Sequence, residues 1–432
     1  MPLDYFVARV VSHVSTQEFI LRFPAAVWGT LTLAMVFVLG RKLAGRRVAA
    51  LTMLLLSLSA TQIRYSQELR FYAALGFFFL LSTWTLYRAL KRRQLLDWSI
   101  FILATSVGSY FHPYVLLTSA TGLVSILFSA NLRRQPLRQI AALAISSLLA
   151  VAIFLPGYAY FGAGQEFHYD LLQQGGTVAG QIFVGLGWNA AQFSDTTPVF
   201  GLWELLNVVF AGVGLWVISI RRANYTLLWG LIVGVFLQVV LIISADQIKG
   251  YWLVASQLIH LAPAALLLTS VGLLSAMDYL ADLSRRLLTG RLGNWFSRIA
   301  IPATVLIVCL TNVPRVSGYY QYQRSTVKQI VTQLLALHRT GEPIFVIPGY
   351  EAKIYQFYLL QAHHDAVISD LRPTDWQLLP ALVSQNSGNL YLAAATTEAE
   401  THAAALTGLG FAAVSGFGSA WGTHHALFIL GR

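Results

Sequence analysis

"LRFPAAVWGTLTLAMVFVLGRKLAGRRVAALTMLLLSLSATQIRYSQELRFYAAL", residues 21–75, holds two apolar runs, near 24–40 and 48–63, parted by a basic cluster and followed by a polar connection. A membrane helix needs about 20 apolar residues, and about 17 can suffice, so both runs read as spans. The cluster RKLAGRR (41–47) carries cations only, whereas the connection RYSQELRFYAAL (64–75) mixes Arg64, Glu68 and Arg70 with Tyr65 and Tyr72. Cytoplasmic loops collect Lys and Arg, so the cluster is placed inside and the mixed connection outside.

Composition extends that reading to the rest of the chain. Of 432 residues, 56% are hydrophobic and only 11% charged, against about 25% charged in an ordinary soluble domain. Further spans are expected near 71–90, 98–111, 114–130, 139–160, 200–219, 226–244, 252–275 and 298–313, about ten in all. Those at 98–111 and 114–130 are short and meet at YFHP, where Pro113 disfavours helix at His112; half-helices or a re-entrant pair are the alternative there. RKLAGRR, RALKRR (88–93), NLRRQPLR (131–138), RR (221–222) and the arginines of 285–298 fall on every second connection. The net charge of +11 therefore belongs to cytoplasmic loops. Nucleic acid is not an expected partner, because no separate basic domain exists to bind it. Cys309 is the only cysteine, so no intrachain disulfide forms. The opening MPLDYFVARVVSHV has no basic leader followed by an apolar core, so no secretory signal is expected.

Residues 1–23, 62–70, 111–113, 161–199, 245–251 and everything after about 314 are accordingly expected outside. The fold class that follows is an α-helical polytopic membrane protein of about ten membrane helices with a small C-terminal α/β extracytoplasmic domain. Three segments are expected: an outward opening stretch over 1–23, a transmembrane domain over 24–313, and the α/β domain over 314–432. In the last, PIFVIPG (343–349), DAVISD (365–370), GNLYLAAAT (388–396) and HHALFIL (424–430) read as strands, with the helical EAKIYQFYLLQ (351–361) among them. No Gly-rich phosphate loop or metal spacing appears in that segment.

Ionisable residues near a membrane are costly and commonly line a cavity or mark a site. If residues near 68 already begin the helix at 71–90, Glu68 and Tyr72 share one face as i, i+4 neighbours. The carboxylate could then serve as acid, base or divalent-metal ligand, and Arg70 as a bidentate phosphate clamp. The competing reading is an interfacial belt in which Glu68 pairs with Arg64. His112, flanked by Tyr110 and Tyr114, is either part of the same site or an interfacial histidine. In GQEFHYD (164–170), Glu166, His168 and Asp170 make a metal site or a solvated loop. In DQIKGYWLVASQLIHLAPA (246–264), Lys249 is the lone cation of its helix mouth, with Gln257 and His260 deeper. It suits an anionic lipid head group or anchors the interface.

The 21–75 stretch resembles the polytopic C-type glycosyltransferases of the protein O-mannosyltransferase-like family, glycosyltransferase family 39. Arg22, Pro24, Gly29, Gly40, Arg41, Gly45, Arg46, Tyr65, Ser66, Gln67, Glu68, Arg70 and Tyr72 stand in register with that family's motif. YFHPYVLL is similar to its Y-x-H-Y-Y segment, and VASQLIHLAPAALLL to its R-Q-L-x-x-x-x-P helix, with Ser256 where arginine is common. The likeness covers most of residues 1–130 and, weakly, 250–275.

The resemblance implies transfer of a sugar from a polyprenyl-phosphate donor to a glycan, lipid or protein acceptor on the outer face. It makes Glu68 the catalytic acid of its loop, and Arg70, Tyr72, His112 and Lys249 contacts for the donor phosphate; whether a divalent metal takes part stays open. The family begins with a further helix and a loop bearing an aspartate–glutamate pair. MPLDYF matches a later part of that loop, so the pair and its helix are expected to be missing. Asp4 and Glu18 are the acids near that gap; neither lies in the family's motif, and neither is expected to be catalytic. The alternative is a non-catalytic relative, a scaffold or lipid-glycan binding protein.

Overall fold

The computed structural model describes residues 2–128, 136–162, 182, 184–187, 202–220, 226–249, 255–287, 291–321, 327–339, 341–347, 349, 352–386, 388–395, 399, 401–417 and 425–431. It divides into two compact units, one of residues 1–192 and 196–317 and the other of 193–195 and 318–432.

The first unit is helical. Its elements are α1 (Pro2–Val14), α2 (Glu18–Leu43), α3 (Arg46–Ser57), α4 (Ala60–Tyr65), α5 (Tyr72–Arg92), α6 (Leu95–Phe111), a 3-10 turn (Pro113–Leu117), α7 (Thr118–Phe128) and α8 (Pro136–Gly162). They continue through α9 (Leu202–Ile220), α10 (Thr226–Lys249), α11 (Ala262–Leu287) and α12 (Arg291–Gln321), whose last turn runs into the second unit. Among the described residues, five helices are long and apolar enough to cross a membrane: Glu18–Leu43, Tyr72–Arg92, Pro136–Tyr160, Trp203–Ile220 and Ile259–Leu287. Helices suit that solvent because every interior backbone group is satisfied within its own segment. The chain is an integral membrane protein.

Two glycines of the opening stretch show how it folds. Gly45 adopts φ +94°, a conformation that side-chain-bearing residues rarely take, and so lets RKLAGRR turn from α2 into α3. A Cβ at Gly40 would meet the Ala49 Cβ at 3.2 Å, so α2 and α3 pack at close range there. Around them, Val36, Leu39, Leu51, Leu55 and Leu56 join Leu80 of α5 and Leu266, Leu273 and Leu274 of α11 in one buried cluster. The membrane-spanning part of α11 is 83% buried, while that of α8 is 22% buried and exposes Ile145, Leu148, Ile153 and Leu155. The first is a core helix; the second presents an apolar outer surface suited to lipid.

Two expected spans and one expected helix start differ in the structure. The run 48–63 is not one helix: it breaks at Leu58–Ser59, where the Ser59 hydroxyl accepts from the Gln62 N–H and caps α4. The run 252–275 becomes two short 3-10 turns, Ala255–Gln257 and Ile259–Leu261, before α11 begins at Ala262 and extends to Leu287. The helix after the polar connection starts at Tyr72 with Phe71 as its cap; residues 66–71 form turns. Glu68 and Tyr72 are therefore not i, i+4 neighbours on one helical face. The break expected from Pro113 is present, with His112 extended at φ −159°, ψ 131°.

The second unit holds α13 (Val327–Leu337), β1 (Ile344–Ile347), α14 (Ala352–Gln361), β2 (Ile368–Asp370), a 3-10 turn (Pro373–Leu378), α15 (Leu379–Gln385), β3 (Leu390–Ala395), α16 (Ala403–Gly408), β4 (Ala412–Phe417) and β5 (His425–Leu430). The five strands form one mixed sheet in the order β2-β1-β3-β5-β4. β1 runs parallel to β2 and β3, and β5 antiparallel to β3 and β4. Side chains alternate across the sheet as the pleat requires. Phe345 and Ile347 enter a cluster with Trp376, Leu379 and Val383, while Ile344 and Val346 enter another with Ile330, Leu334, Tyr355 and Leu359. Both faces are covered, which is why IFVI is apolar throughout.

Candidate functional site

The polar residues of the mixed connection meet at the N-terminal mouth of α5. Gly29 makes this possible: a Cβ there would run into the Ser66 hydroxyl, so only glycine lets the 66–71 turn settle on α2. Ser66 in turn donates to the Gln62 carbonyl at 2.8 Å. Arg64 Nε donates to Glu68 Oε1 at 2.8 Å, with both side chains about one third exposed (29% and 32%). The acid that the sequence offers as catalytic is thus held by a neighbouring arginine, as the interfacial-belt reading also expected.

Arg70 stands differently. It hydrogen-bonds Tyr72 and feels the charge of Glu68 and the hydroxyl of Tyr5 on α1. Burial opposes its charge, but these neighbours outweigh that and raise its affinity for the proton. Arg70 is a firmly charged cation at the mouth. The buried Tyr65 packs edge-on against Tyr72 at 4.7 Å, with the Arg64 guanidinium 5.5 Å from its ring centre. The Ser256 hydroxyl hydrogen-bonds Tyr65, so the serine that replaces a common arginine still touches the site.

His112 joins from the α6 break. Its ring stacks on Phe71 at 4.6 Å and meets Tyr114 at 4.4 Å. Its Nδ1 accepts from the Tyr114 N–H at 3.2 Å, which leaves the proton on Nε2. Burial holds the imidazole below its usual pKa, reinforced by nearby His260, so His112 is neutral and would meet an anion as a hydrogen-bond donor. His260, 1% exposed, lies 5.8 Å from the Tyr114 ring. Gln238 Nε2 donates to Thr121 Oγ1 at 2.7 Å, leaving its Oε1 to face His260 Nε2 at 3.3 Å. A line of aromatic and imidazole groups thus leads from Arg70 into the helix core.

Lys249 ends α10, and its side chain lies outside the described residues, as do Glu166, His168 and Asp170. Among the described residues, no group of three or more His, Cys, Asp or Glu could hold a metal ion. One buried acid of the helical core is not marked by the sequence. Glu204, 1% exposed in the first turn of α9, is hidden inside an apparently apolar run. Asp4 is half-buried on α1 beside the i, i+4 stripe of Leu3, Val7 and Val11.

With this geometry in place, the comparisons gain meaning. Residues 2–160 match the family model of dolichyl-phosphate-mannose-protein mannosyltransferases. The chain superposes on ArnT from Cupriavidus metallidurans in the apo state with a TM-score of 0.58, at 13% identity, over 99% of this chain and 87% of that one. The same values hold for ArnT bound to undecaprenyl phosphate. An Archaeoglobus fulgidus oligosaccharyltransferase in complex with Zn and sulfate gives 0.54 at 11% identity, over 94% of this chain and 60% of that one. No curated protein matches significantly in sequence. The fold is the C-type glycosyltransferase fold. The resemblance read from residues 21–75 is borne out, and Arg64–Tyr72 and His112 lie inside the matched region.

Proposed function

We propose that this C-type chain is a membrane glycosyltransferase that moves a sugar from a polyprenyl-phosphate-linked donor to a glycan, lipid or protein acceptor on the outer face of the membrane. One observation carries the reading: Arg70, Tyr72 and His112 converge at one mouth within the segment that matches the mannosyltransferase family. The fold shared with ArnT, which has been seen with undecaprenyl phosphate, supports the donor class. In this reading Arg70 and the Nε2–H of His112 receive the donor phosphate, and Tyr72 orients Arg70. As the sugar–phosphate bond breaks, negative charge grows on the leaving phosphate, and a fixed cation there lowers the barrier. The alternating basic clusters support a reading in which this mouth and the sheet-bearing residues after about 314 face outside the cytoplasm. Glu68 steadies the arginines, and Lys249 is a further phosphate contact.

Proteoliposomes holding the full chain, supplied with a panel of undecaprenyl-phosphate-linked sugars, test this by loss of donor. Transfer or hydrolysis by the wild type is expected. Arg70→Ala should weaken undecaprenyl phosphate binding by about ten- to a hundredfold, since a charge-assisted contact is worth about 1.5–3 kcal/mol. A chelator arm reads any metal requirement. Donor binding without transfer by the wild type would favour the non-catalytic alternative, and absence of both would overturn the proposal.

A further inference from the structure

We propose that Gln238 of α10 is a positioning residue for His112, fixing which ring nitrogen carries the proton; the part given to His112 rests on the transferase reading above. IVGVFLQVVLII (232–243) holds one polar side chain, Gln238, and the structure leaves it 0% exposed. An amide buried in an apolar core is costly unless its hydrogen bonds are made. Gln238 makes them at both ends of its amide, and both ends lead to the turn that follows His112.

The approach begins at Gly234, one helical turn before Gln238 on the same buried face of α10. A Cβ at Gly234 would lie 2.8 Å from the Thr121 Cα, so α10 meets the start of α7 at backbone range. There Gln238 Nε2 reaches two acceptors, Thr121 Oγ1 at 2.7 Å and the Leu117 carbonyl at 3.4 Å. Leu117 closes the Pro113–Leu117 turn. The same turn holds Tyr114, whose N–H donates to His112 Nδ1 at 3.2 Å. At the other end of the amide, Oε1 only accepts, so His260 Nε2, 3.3 Å away, carries a proton. The His260 ring lies 5.8 Å from that of Tyr114, which in turn meets His112 at 4.4 Å. Gln238 therefore brackets Tyr114, through its own turn by way of Leu117 and across its ring by way of His260.

The consequence falls on one proton. The bond from the Tyr114 N–H is at the long end of the hydrogen-bond range, and a long bond directs a ring only while its donor stays in place. With Tyr114 fixed, Nδ1 remains an acceptor and Nε2–H is the donor offered to a phosphate. If the turn drifts, the neutral ring adopts the other tautomer as well and presents to the anion a lone pair that repels it. Ordinary interhelical glue would serve packing alone. Gln238 sits where it also sets the chemistry of the mouth.

Gln238→Met, His112→Phe and their double variant, each in the full chain reconstituted as above, test this through undecaprenyl phosphate binding. Gln238→Met keeps the length of the side chain and removes both polar ends. It should weaken binding about three- to tenfold, the range for loss of one neutral hydrogen bond. In the His112→Phe background the same substitution should change binding by less than about twofold, because its effect runs through the missing imidazole. The ring 15N signals of His112 should show the Nε2–H form in wild type and a mixture of tautomers in Gln238→Met. Gln238→Glu, which burial keeps protonated, restores a donor and an acceptor and should recover part of the binding. Should Gln238→Met fall short of normal membrane abundance, Thr121→Val removes one partner of the amide and runs the same cycle with a smaller loss. Equal losses in the two backgrounds make Gln238 a packing residue and overturn the proposal, as does unchanged binding in the single variant. A wild type that binds undecaprenyl phosphate no better than His112→Phe overturns the parts of His112 and Gln238 alone. A wild type that neither binds it nor uses a donor overturns the transferase reading, and the Gln238 role with it.

Discussion

The two ends of α5 carry similar side chains and use them in opposite ways. At its C-terminal end Arg88 meets Asp97 of α6 at 2.8 Å, and Asp97 is 2% exposed. The charge there is closed off, one cation to one buried acid, and it fixes how α5 packs on α6. At the N-terminal end Arg64 and Glu68 pair while about one third exposed, and Arg70 is exposed and hydrogen-bonds Tyr72, with no ion pair among the described residues. A buried, paired charge holds a fold in place, since removing one partner strands the other. An exposed cation oriented by a tyrosine keeps its capacity for an anion that comes and goes. The contrast separates the structural charges of this protein from those available for chemistry.

The sharpest way to break that contrast is Asp97→Ala. It should destabilise the fold by about 3 kcal/mol, the low end for breaking a buried pair, because Arg88 keeps 32% of its surface exposed and can recover solvent. Reduced membrane abundance and a lower melting temperature in detergent would show it. A melting temperature equal to wild type would mean that this end of α5 is no more structural than the mouth.

A smaller effect is expected where α2 supports the mouth. Gly29→Ala would press on Ser66, whose Cβ lies 2.6 Å from where a Cβ at position 29 would stand. Overpacking of this kind costs about 1–3 kcal/mol. The 66–71 turn should shift with it, so undecaprenyl phosphate binding should weaken beyond the loss in stability. Because the clash is with the Ser66 side chain, Gly29→Ala combined with Ser66→Gly should restore both. A double variant as impaired as the single one would sink this account of the motif glycine.

Much of the helical fold was legible because apolar runs of membrane length and Pro113 act locally. The breaks that were missed depend on side chains reaching backbone. Ser59 capping α4 splits an unbroken apolar run, and no Gly or Pro announces the turns at 66–71. β4, AAVSGF, has few strand-forming residues and is a strand through its pairing with β5. At the candidate site, Arg70, Tyr72 and His112 are named from sequence because they stand in or beside a motif, and the structure gathers them at one mouth. The packing of α1 is not legible in the same way, since it arises only when Leu3 and Val7 dock on the cluster of α5 and α6 residues. Glu68 is the reverse case: the motif singles it out, and the structure adds that it pairs with Arg64 at 2.8 Å.

Glu68→Gln sharpens that last point and has the smallest expected effect. The Arg64–Glu68 pair is about one third exposed on both sides, and partly solvated pairs of this kind contribute about 0.2–1 kcal/mol. Glu68 also supports Arg70 from a distance, a contribution weakened by solvent. Neutralising it should therefore lower turnover by no more than about fivefold, matching at most 1 kcal/mol. Phosphate binding should move by a similar factor, since both effects run through the same arginines. Arg64→Gln should mimic the stability change but not the change in binding carried by Arg70. If Glu68→Gln instead abolished turnover at unchanged binding, the proton acceptor would be Glu68. The Arg64 ion pair would then be a resting arrangement that opens during catalysis, and the mouth of α5 would hold its acid in the same closed form as the opposite end.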